Sequence, residues 1–568
     1  MNQVAMVLSG LKGVPFRVWE DQGVWFRVLF LLASVCTGIY IHDTIRYHEA
    51  HHSTKHQISL PKQPSFVPYL SVAAQFLWNP RRAVIRFASF NSRPSISRLA
   101  FLPNLDIYLY QDPVSICQIW KQSSLIDLRL LASHILQRVC LMPSHAASLY
   151  RDDDSGVAAV PRPESRVPDT LRIHRMISES NHDGLIRNGL KPTIERYLNA
   201  LPVKLATKVG EDWTEMGDFW HFIQDTVGIS IIEAIFGPSL LQMHPEFVRG
   251  LVELDHLVPP LLKGVPNSKA TNTSRVLFGQ LKSWAKYAES HFAEESIYTD
   301  GDGDPFWGSS WTRSRHQHSL AAFEGDATTA HDLAIAWGSI AQVLPCTLVA
   351  SSHVLKDRLL VRRIRQELVP DWNRGRPVEC DSRQLSTSIL LSSIYAETLR
   401  MHITAFIPVV PMHGNLHLGK WEIPKKSFGL ISTGVLHKNP DIWNTKSGIH
   451  PVDAFWAERF IVDPSDPESG PINPRTVTIP VPERRKNDQP YFSLKGLEGV
   501  WVPYGGGQHM CPGRFLAKLI ITSSVAILCS HYDVEFRKDP IAFGTGRFGL
   551  GPEHPLRETP FRIRRRKD

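Results

Sequence analysis

Apolar residues recur at helical spacing over several long stretches of the chain. Residues 219–236, 322–360 and 385–400 each place apolar side chains three and four positions apart, which is the spacing of one helix face. Short alternating pieces at 414–423 and 427–432 predict strands instead. The pattern therefore predicts a mainly α protein with small β-sheets, in the α+β class.

Two polar segments rich in breaker residues, 144–169 and 299–318, interrupt the apolar pattern and predict surface insertions or mobile loops. The second segment contains the run D-G-D-G-D, but it lacks the remaining positions and the closing Glu of a calcium loop. No second domain boundary follows residue 69. We expect residues 69–568 to form a single domain.

An uncharged apolar stretch near the N-terminus, residues 28–41, predicts a membrane helix. Counted from residue 24 the helix is about 27 Å long, close to the thickness of a hydrocarbon core. A cleaved signal peptide and a buried helix are the alternatives, although no small-x-small cleavage site follows Tyr40. We predict a tail at 1–23, a transmembrane anchor at 24–42 and a proline-containing linker at 43–68.

Composition narrows the partners and the compartment. Of the 568 residues 43% are hydrophobic and 21% charged, and the net charge of +8 lies partly in an arginine-rich C-terminus. The interior shows no basic cluster of the kind that binds nucleic acid. The seven cysteines contain no C-x-x-C pair, which argues against a disulfide scaffold or a structural zinc site and favours a reducing compartment.

One cysteine lies in an unusual loop. Residues 502–518 read V-P-Y-G-G-G-Q-H-M-C-P-G-R-F-L-A-K, and three consecutive glycines indicate a backbone that turns tightly and is closely approached. An apolar-periodic segment follows, so Cys511 lies near a helix N-terminus, where amide donors favour a thiolate. From these residues alone, Cys511 could be a reactive nucleophile, a redox centre or a metal ligand.

Two further segments carry paired charges. Glu397 and Arg400 are three positions apart in Y-A-E-T-L-R, so they share a helix face and can pair. A solvated surface pair would contribute less than about 1 kcal/mol. About sixty residues further on, residues 455–460 read F-W-A-E-R-F and include Arg459.

Together these motifs resemble those of the cytochrome P450 family, in the same order. The loop matches F-x-x-G-x-x-x-C-x-G at Gly507, Cys511 and Gly513, with Tyr504 in place of Phe. The other two segments resemble the E-x-x-R and P-E-R-F motifs, with Ala457 in place of Pro. The resemblance implies the cytochrome P450 fold over nearly the whole body.

The resemblance also assigns residues to roles. Cys511 would ligate the iron of haem b as a thiolate, and His509 would contact a haem propionate. Gly507, Gly513 and Arg514 complete the cofactor-binding loop. Glu397, Arg400 and Arg459 would form a buried, structural trio.

The helix that faces oxygen in this family departs from the common pattern. Residues 334–351 lack the usual acid–alcohol pair and instead resemble the branch of cholesterol 7α-hydroxylase and prostacyclin synthase. Gln342 then stands where that branch has Asn, and Ala341 stands at the acid position. Pro345 should bend the helix at these residues, and Gly338 should leave space. We assign Gly338, Ala341 and Gln342 to the catalytic site. The alternative is that Gln342 only stabilises the break in the helix.

The propionate contacts are less evident. Related enzymes carry an Arg on the strand after E-x-x-R, whereas residues 401–412 offer only His402 as a basic group. The usual W-x-x-x-R helix is not recognisable in residues 171–186, where Arg172, His174 and Arg175 are candidates.

The function implied is a membrane-anchored haem-thiolate monooxygenase, with electrons from NADPH through cytochrome P450 reductase and cytochrome b5 as a candidate second partner. It would face the cytosol from the endoplasmic reticulum membrane. The branch suggests a sterol-like substrate, and the C-terminal sequence and the inserted loops resemble fungal members, which favours a terpenoid or another secondary metabolite. The alternatives are an oxygen-independent haem-thiolate isomerase or dehydratase, a non-catalytic haem sensor and a cysteine-nucleophile hydrolase.

Overall fold

The computed structural model describes residues 16–53, 55, 58–67, 69–88, 96–262, 265–317, 325–368, 387–476, 478–483, 489–538, 542–544 and 546–566. Most of the predicted N-terminal tail, Pro68, Cys380 and the first residues of two predicted helices lie outside these ranges.

Helices dominate the described chain. The first half contains α1 Phe16–His52, α2 Leu70–Trp78, α3 Pro80–Ala88, α4 Pro113–Lys121, α5 Arg129–Arg138, α6 Ser144–Asp152, α7 Ile173–Leu185, α8 Leu190–Lys208, α9 Phe219–Ile223, α10 Ile229–Phe236, α11 Pro238–Met243, α12 Phe247–Leu262 and α13 Ser268–His291. The second half contains α14 Ser310–Gln317, α15 Asp326–Ala341, α16 Val343–Lys356, α17 Arg358–Leu368, α18 Ile389–His402, α19 Thr433–Leu436 and α20 Arg514–His531.

The strands are short and form small sheets. They are β1 Ile58–Ser59, β2 Ile96–Leu102, β3 Leu105–Tyr110, β4 Thr214–Met216, β5 Ile403–Val409, β6 Leu416–Leu418, β7 Trp421–Ile423, β8 Phe428–Ser432, β9 Ile461–Val462, β10 Tyr491–Phe492, β11 Tyr532–Phe536, β12 Leu550–Pro552 and β13 Phe561–Arg565. The largest sheet has the order β12-β5-β8-β3-β2, and β3 pairs with β8 in parallel. The predicted helix-rich α+β class is confirmed.

The core of the body is built around α16 and α20, which pack against each other and are buried along most of their length. Helix α8 packs on α20, where the Tyr197 hydroxyl and the Ser524 hydroxyl lie 2.7 Å apart. Helix α18 also packs on both α16 and α20. Because α18 leads directly into β5 and α20 follows the cysteine loop, this core fixes both segments relative to each other.

The N-terminal helix α1 is longer than the predicted anchor and continues to His52. Its apolar side chains from Val24 onward face away from the body. Its end is docked: the Lys420 ammonium donates to the carbonyls of Ala50, His51 and Ser53 at 2.6–3.1 Å, as suits a cation at a helix C-terminus. The predicted linker therefore starts with helix, and only its later part is extended.

Two other stretches, Asp326–Lys356 and Arg514–His531, are also long and apolar enough to cross a membrane. Two thirds of each is buried inside the body, so they are core helices. Among the described residues, α1 is the helix whose apolar surface lacks such cover.

Both predicted insertions are largely loop, but each also contains packed structure. The first opens with helix α6, which buries Tyr150 and two alanines. In the second, Asp304 is fully buried, accepts hydrogen bonds from the amides of Phe306 and Trp307, and pairs with Arg313. A buried carboxylate with these donors is an internal cap, a role that the breaker-rich sequence did not indicate.

Candidate functional site

The glycine run before Cys511 is required by close contacts. Gly505 and Gly507 have φ of 73° and 60°, in the left-handed region that favours glycine. A Cβ on Gly506 would lie 2.4 Å from the Trp120 ring. The three glycines therefore allow the loop to pack against the α4 region and return to the start of α20.

Cys511 is held at the end of this loop. Its amide donates to the Tyr504 carbonyl at 3.0 Å, and the Tyr504 hydroxyl meets the Tyr395 hydroxyl at 2.8 Å. Burial raises the pKa of the Cys511 thiol, while the Gly513 amide and Arg514 act in the opposite direction. The thiol itself is exposed towards the cavity described next.

Cys511 faces a cavity of about 510 Å³. One wall of the cavity is formed by the cysteine loop and the first turns of α20, and the opposite wall by α15 and α16. The lining is mainly apolar and includes Ile335, Val343, Leu399, Ile403, Phe406, Ile407, Leu516, Ala517 and Ile520. This slot suits a largely apolar molecule that contacts the thiol on one side.

The opposite wall contains a break between two helices. Helix α15 ends at Ala341 and α16 starts at Val343, so the interruption falls where Pro345 was predicted to bend the chain. Gly338 and Gln342 line the cavity, and a Cβ on Gly338 would meet nothing within 4 Å. Ala341 is buried and is not among the residues that line the cavity.

The Gln342 side chain is hydrogen-bonded to the C-terminal strand. Its amide nitrogen donates to the Leu550 carbonyl at 3.4 Å. A Cβ on Gly551 would lie 2.5 Å from the Gln342 amide, and Gly551 has φ of 141°, in the region that favours glycine. The amide both borders the cavity and joins the broken helix to the sheet.

A second, polar compartment of about 260 Å³ adjoins one edge of this cavity. The two share Leu128, Asn181, His509 and Pro512 in their linings. The lining of the compartment also includes Asp127, Arg129, Asp153, Arg162, His174 and His182. His509 lies at the junction, where its Nε2 is 3.2 Å from the Ile126 carbonyl and burial lowers its pKa.

The predicted trio is assembled and fully buried. Glu397 accepts hydrogen bonds from Arg400 at 2.7 and 2.9 Å and from Arg459 at 3.0 and 3.1 Å. All three side chains have no solvent exposure. Burial by itself would raise the pKa of Glu397, but the two guanidinium groups outweigh it and the pKa is lowered. The trio lies away from the cavity lining, as suits a structural element.

The other candidates occupy separate places. Gly513 lines the cavity, whereas Gly507 packs against Ser123. Arg514 donates to the Cys511 carbonyl at 3.0 Å and its side chain does not line the cavity. His402 is half-buried and is also missing from the lining.

These features define a class of protein: a helix-rich body that presents a cysteine thiol to one face of a mainly apolar slot, with two arginines in the polar compartment at its edge. Haem b fits such a slot, because it has apolar faces, a metal that accepts a thiolate and two carboxylates at one edge.

No family model matched the chain. It is 33% identical over 394 residues to cytochrome P450 monooxygenase efuG of Hormonema carpetanum, covering 66% of this chain and 69% of the relative. It is 32% identical over 421 residues to cytochrome P450 monooxygenase fsoE of Humicola fuscoatra, covering 70% and 72%. A 25-hydroxycholesterol 7-alpha-hydroxylase of Rattus norvegicus is 24% identical over 246 residues, covering 41% and 53%.

The chain belongs to the cytochrome P450 family and is a monooxygenase, that is, an oxidoreductase. It is similar to the fungal relatives above and is more distantly related to the 7α-hydroxylases. The family resemblance inferred from the sequence motifs is thereby confirmed.

Proposed function

We propose that the protein is a membrane-anchored haem-thiolate monooxygenase that hydroxylates or oxidises a hydrophobic small molecule. The observation that carries this proposal is the slot itself, in which Cys511 faces the cavity from one wall and Gly338 leaves open space on the other. An open wall is what a substrate requires. A sensor whose iron is closed by a second protein ligand would need a His or Met there, and the cavity wall formed by α15 and α16 carries neither.

The residues of the slot would hold haem b between α20 and the broken helix. Haem bound through a cysteine thiolate supplies oxygen activation, because the thiolate pushes electron density towards the iron and favours O–O cleavage. Cys511 is the ligand, and the glycines at 505–507 keep its loop in place. Apolar side chains on both walls exclude water from the slot.

Gln342 would act on the substrate side of the haem. An amide does not titrate near neutral pH, so it cannot serve as a general acid. It can donate to and accept from a water molecule or a substrate oxygen, in exchange for its long contact with Leu550. We therefore assign Gln342 to the orientation of water or substrate during oxygen activation, and Gly338 to the space that the substrate occupies.

The substrate class follows from the apolar volume. A larger cavity of about 840 Å³ shares Asn181, Trp311 and Ile335 with the slot. Its lining is also mainly apolar, which favours a bulky hydrophobic scaffold. The relative from Rattus norvegicus is named for its action on 25-hydroxycholesterol. A terpenoid, a sterol-like molecule or a comparable secondary metabolite is the class that we propose.

Membrane attachment and electron supply complete the proposal. Helix α1 carries uncovered apolar side chains over a length that spans a bilayer. We assign the protein to the endoplasmic reticulum membrane with its body in the cytosol, where NADPH-cytochrome P450 reductase supplies electrons and cytochrome b5 is a candidate second donor.

The test is turnover with a defined oxygen source. Protein reconstituted with reductase and NADPH, and fed a panel of terpenoid and sterol scaffolds under ¹⁸O₂, should give a product that is heavier by one labelled oxygen. A scaffold converted without label incorporation and without NADPH would overturn the monooxygenase assignment.

That outcome would instead support a second candidate, an oxygen-independent isomerase or dehydratase. Its motivation is the helix break, where Ala341 and Gln342 stand in place of the acid–alcohol pair. A peroxide substrate that rearranges in the absence of NADPH and reductase would identify this chemistry.

A further inference from the structure

Haem carboxylates need cationic partners, and helix α7 does not provide those that the sequence suggested. Arg172 is buried against the Ser155 hydroxyl and the carbonyls of Ala158 and Ala159. Arg175 lies nearer the surface and pairs with Glu179 at 2.9 Å. His174 does line the polar compartment, but its Nε2 is 2.9 Å from the Tyr150 carbonyl. These candidates are therefore engaged elsewhere or already have a partner.

Arg129, the first residue of α5, has the properties that the α7 candidates lack. It lines the polar compartment, and its side chain is only 16% exposed. Its Nε and Nη1 are buried and donate no hydrogen bond. Among the described residues that line the compartment, no other side chain has such buried donors. A buried guanidinium with free N–H groups is costly unless an acceptor reaches it.

Asp127 fixes the position of this arginine. Its carboxylate accepts from the Arg129 amide at 2.9 Å and lies 3.6 Å from the Arg129 Nε. His413 and Arg162 approach it at 2.8 and 3.4 Å. Burial would raise the pKa of Asp127, but these donors outweigh it and the pKa is lowered, so the carboxylate is ionised and orients the guanidinium.

Two other charged groups of the compartment, Arg162 and Asp153, already have partners. Arg162 donates to the carbonyls of Asp154 and Ser124 besides its pairing with Asp127. Asp153 accepts from the amide and hydroxyl of Ser155 and from the His174 amide. The unused buried donors of the described lining therefore belong to Arg129, and a carboxylate is the group that a guanidinium binds best.

We propose that Arg129 donates to a haem propionate in the polar compartment, with Asp127 and Arg162 as positioning residues. This proposal rests on haem binding at Cys511. It places a propionate partner of this enzyme at the start of α5 and gives α7 no arginine in that role. Leu128, shared by both cavities, brings the Arg129 backbone to the edge of the slot.

The test compares Arg129→Ala and Arg129→Lys with Arg175→Ala, a control that removes an arginine outside the compartment. Haem transfer from each holoenzyme to excess apomyoglobin gives the dissociation rate, and the propionate-bending band in resonance Raman spectra reports the carboxylate directly. We expect R129A to lose haem about tenfold to a hundredfold faster, the range of a charge-assisted hydrogen bond, and to shift the band. R129K should fall in between, and R175A should match the wild type.

An unchanged band in R129A would overturn the proposal, even if haem loss accelerates, because that would reveal a structural role only. If R129A yields no holoenzyme, the same two readouts on R129K decide. A wild-type protein without a thiolate-type carbon monoxide spectrum would instead refute the haem assignment itself, so the two failures are distinguishable.

Discussion

Replacement of Glu397 by Ala should strongly destabilise the fold. The carboxylate accepts from Arg400, Arg459 and the Trp456 amide in a site without solvent exposure. Its removal leaves two buried guanidinium groups without their counter-charge, and breaking a buried pair in this way costs about 3–5 kcal/mol. Domains are stable by only about 5–15 kcal/mol, so E397A should lose a large part of the stability.

The two arginines keep other partners, which limits the expected loss to this range. Arg400 still donates to the carbonyls of His437 and Val452, and Arg459 still donates to the Asn444 and Pro451 carbonyls. Each guanidinium therefore remains partly hydrogen-bonded, although its charge is unpaired.

The assay is urea-induced unfolding followed by tryptophan fluorescence and haem absorbance. Glu458→Ala is the matched control, because Glu458 is adjacent to Arg459 in sequence and forms a partly exposed pair with Arg363. A pair of that kind contributes about 0–1 kcal/mol. Equal, small losses in E397A and E458A would refute the reasoning.

The pH dependence gives a further check on the same residue. Because the pKa of Glu397 is lowered from 4.5 in the folded state, its stabilising effect is fully present above about pH 4.5 and is lost as the pH falls further. The stability difference between wild type and Glu397→Gln should therefore be largest near neutrality and shrink in acid. A difference that grows in acid would contradict the ion-pair account.

Three other predictions concern the cavity, the loop and the anchor. Gln342→Ala should retain haem but lower the product formed per electron by about tenfold to a hundredfold, the lower range for proton-handling groups. Gln342→Thr should be tolerated better than Gln342→Leu, and equal coupling in all three variants would mean that Gln342 only stabilises the helix break. Gly506→Ala should reduce haem content, because the added Cβ would clash with Trp120. Gly546→Ala is the control, because there is open space around Gly546, and equal haem content in the two variants would contradict the packing argument. Removal of residues 1–42 should release the protein from membranes with its haem spectrum intact, as measured by sedimentation of lysate fractions; a truncated protein that still sediments with membranes would argue against the anchor.

The site residues that could be predicted from the sequence are those that lie close together along the chain at a fixed spacing. Cys511 and Gly513 are set by one loop, and Glu397 and Arg400 by one helix turn, so the motif itself contains their geometry. The helix break near Gln342 was predictable for the same reason, since Pro345 removes a backbone donor.

What the sequence did not predict depends on contacts between distant segments. The burial of Asp304 needs Arg313 from the next helix, and the docking of α1 needs Lys420 from a turn more than 360 residues away. Arg129 carries no motif and shares its compartment with Arg162 from a breaker-rich segment that reads as a surface loop. Its only sequence signal was its position beside Asp127, which is too common to identify a site.

The central claim is that Cys511 presents its sulfur to haem iron, and the cavity supplies its own control. Cys346 lines the same slot from α16. The deciding measurement is the carbon monoxide difference spectrum of the reduced protein in Cys511→Ala and Cys346→Ala. The account predicts that C511A loses the band diagnostic of thiolate ligation and that C346A retains it. A thiolate-type band that persists in C511A, or that disappears in C346A alone, would contradict it.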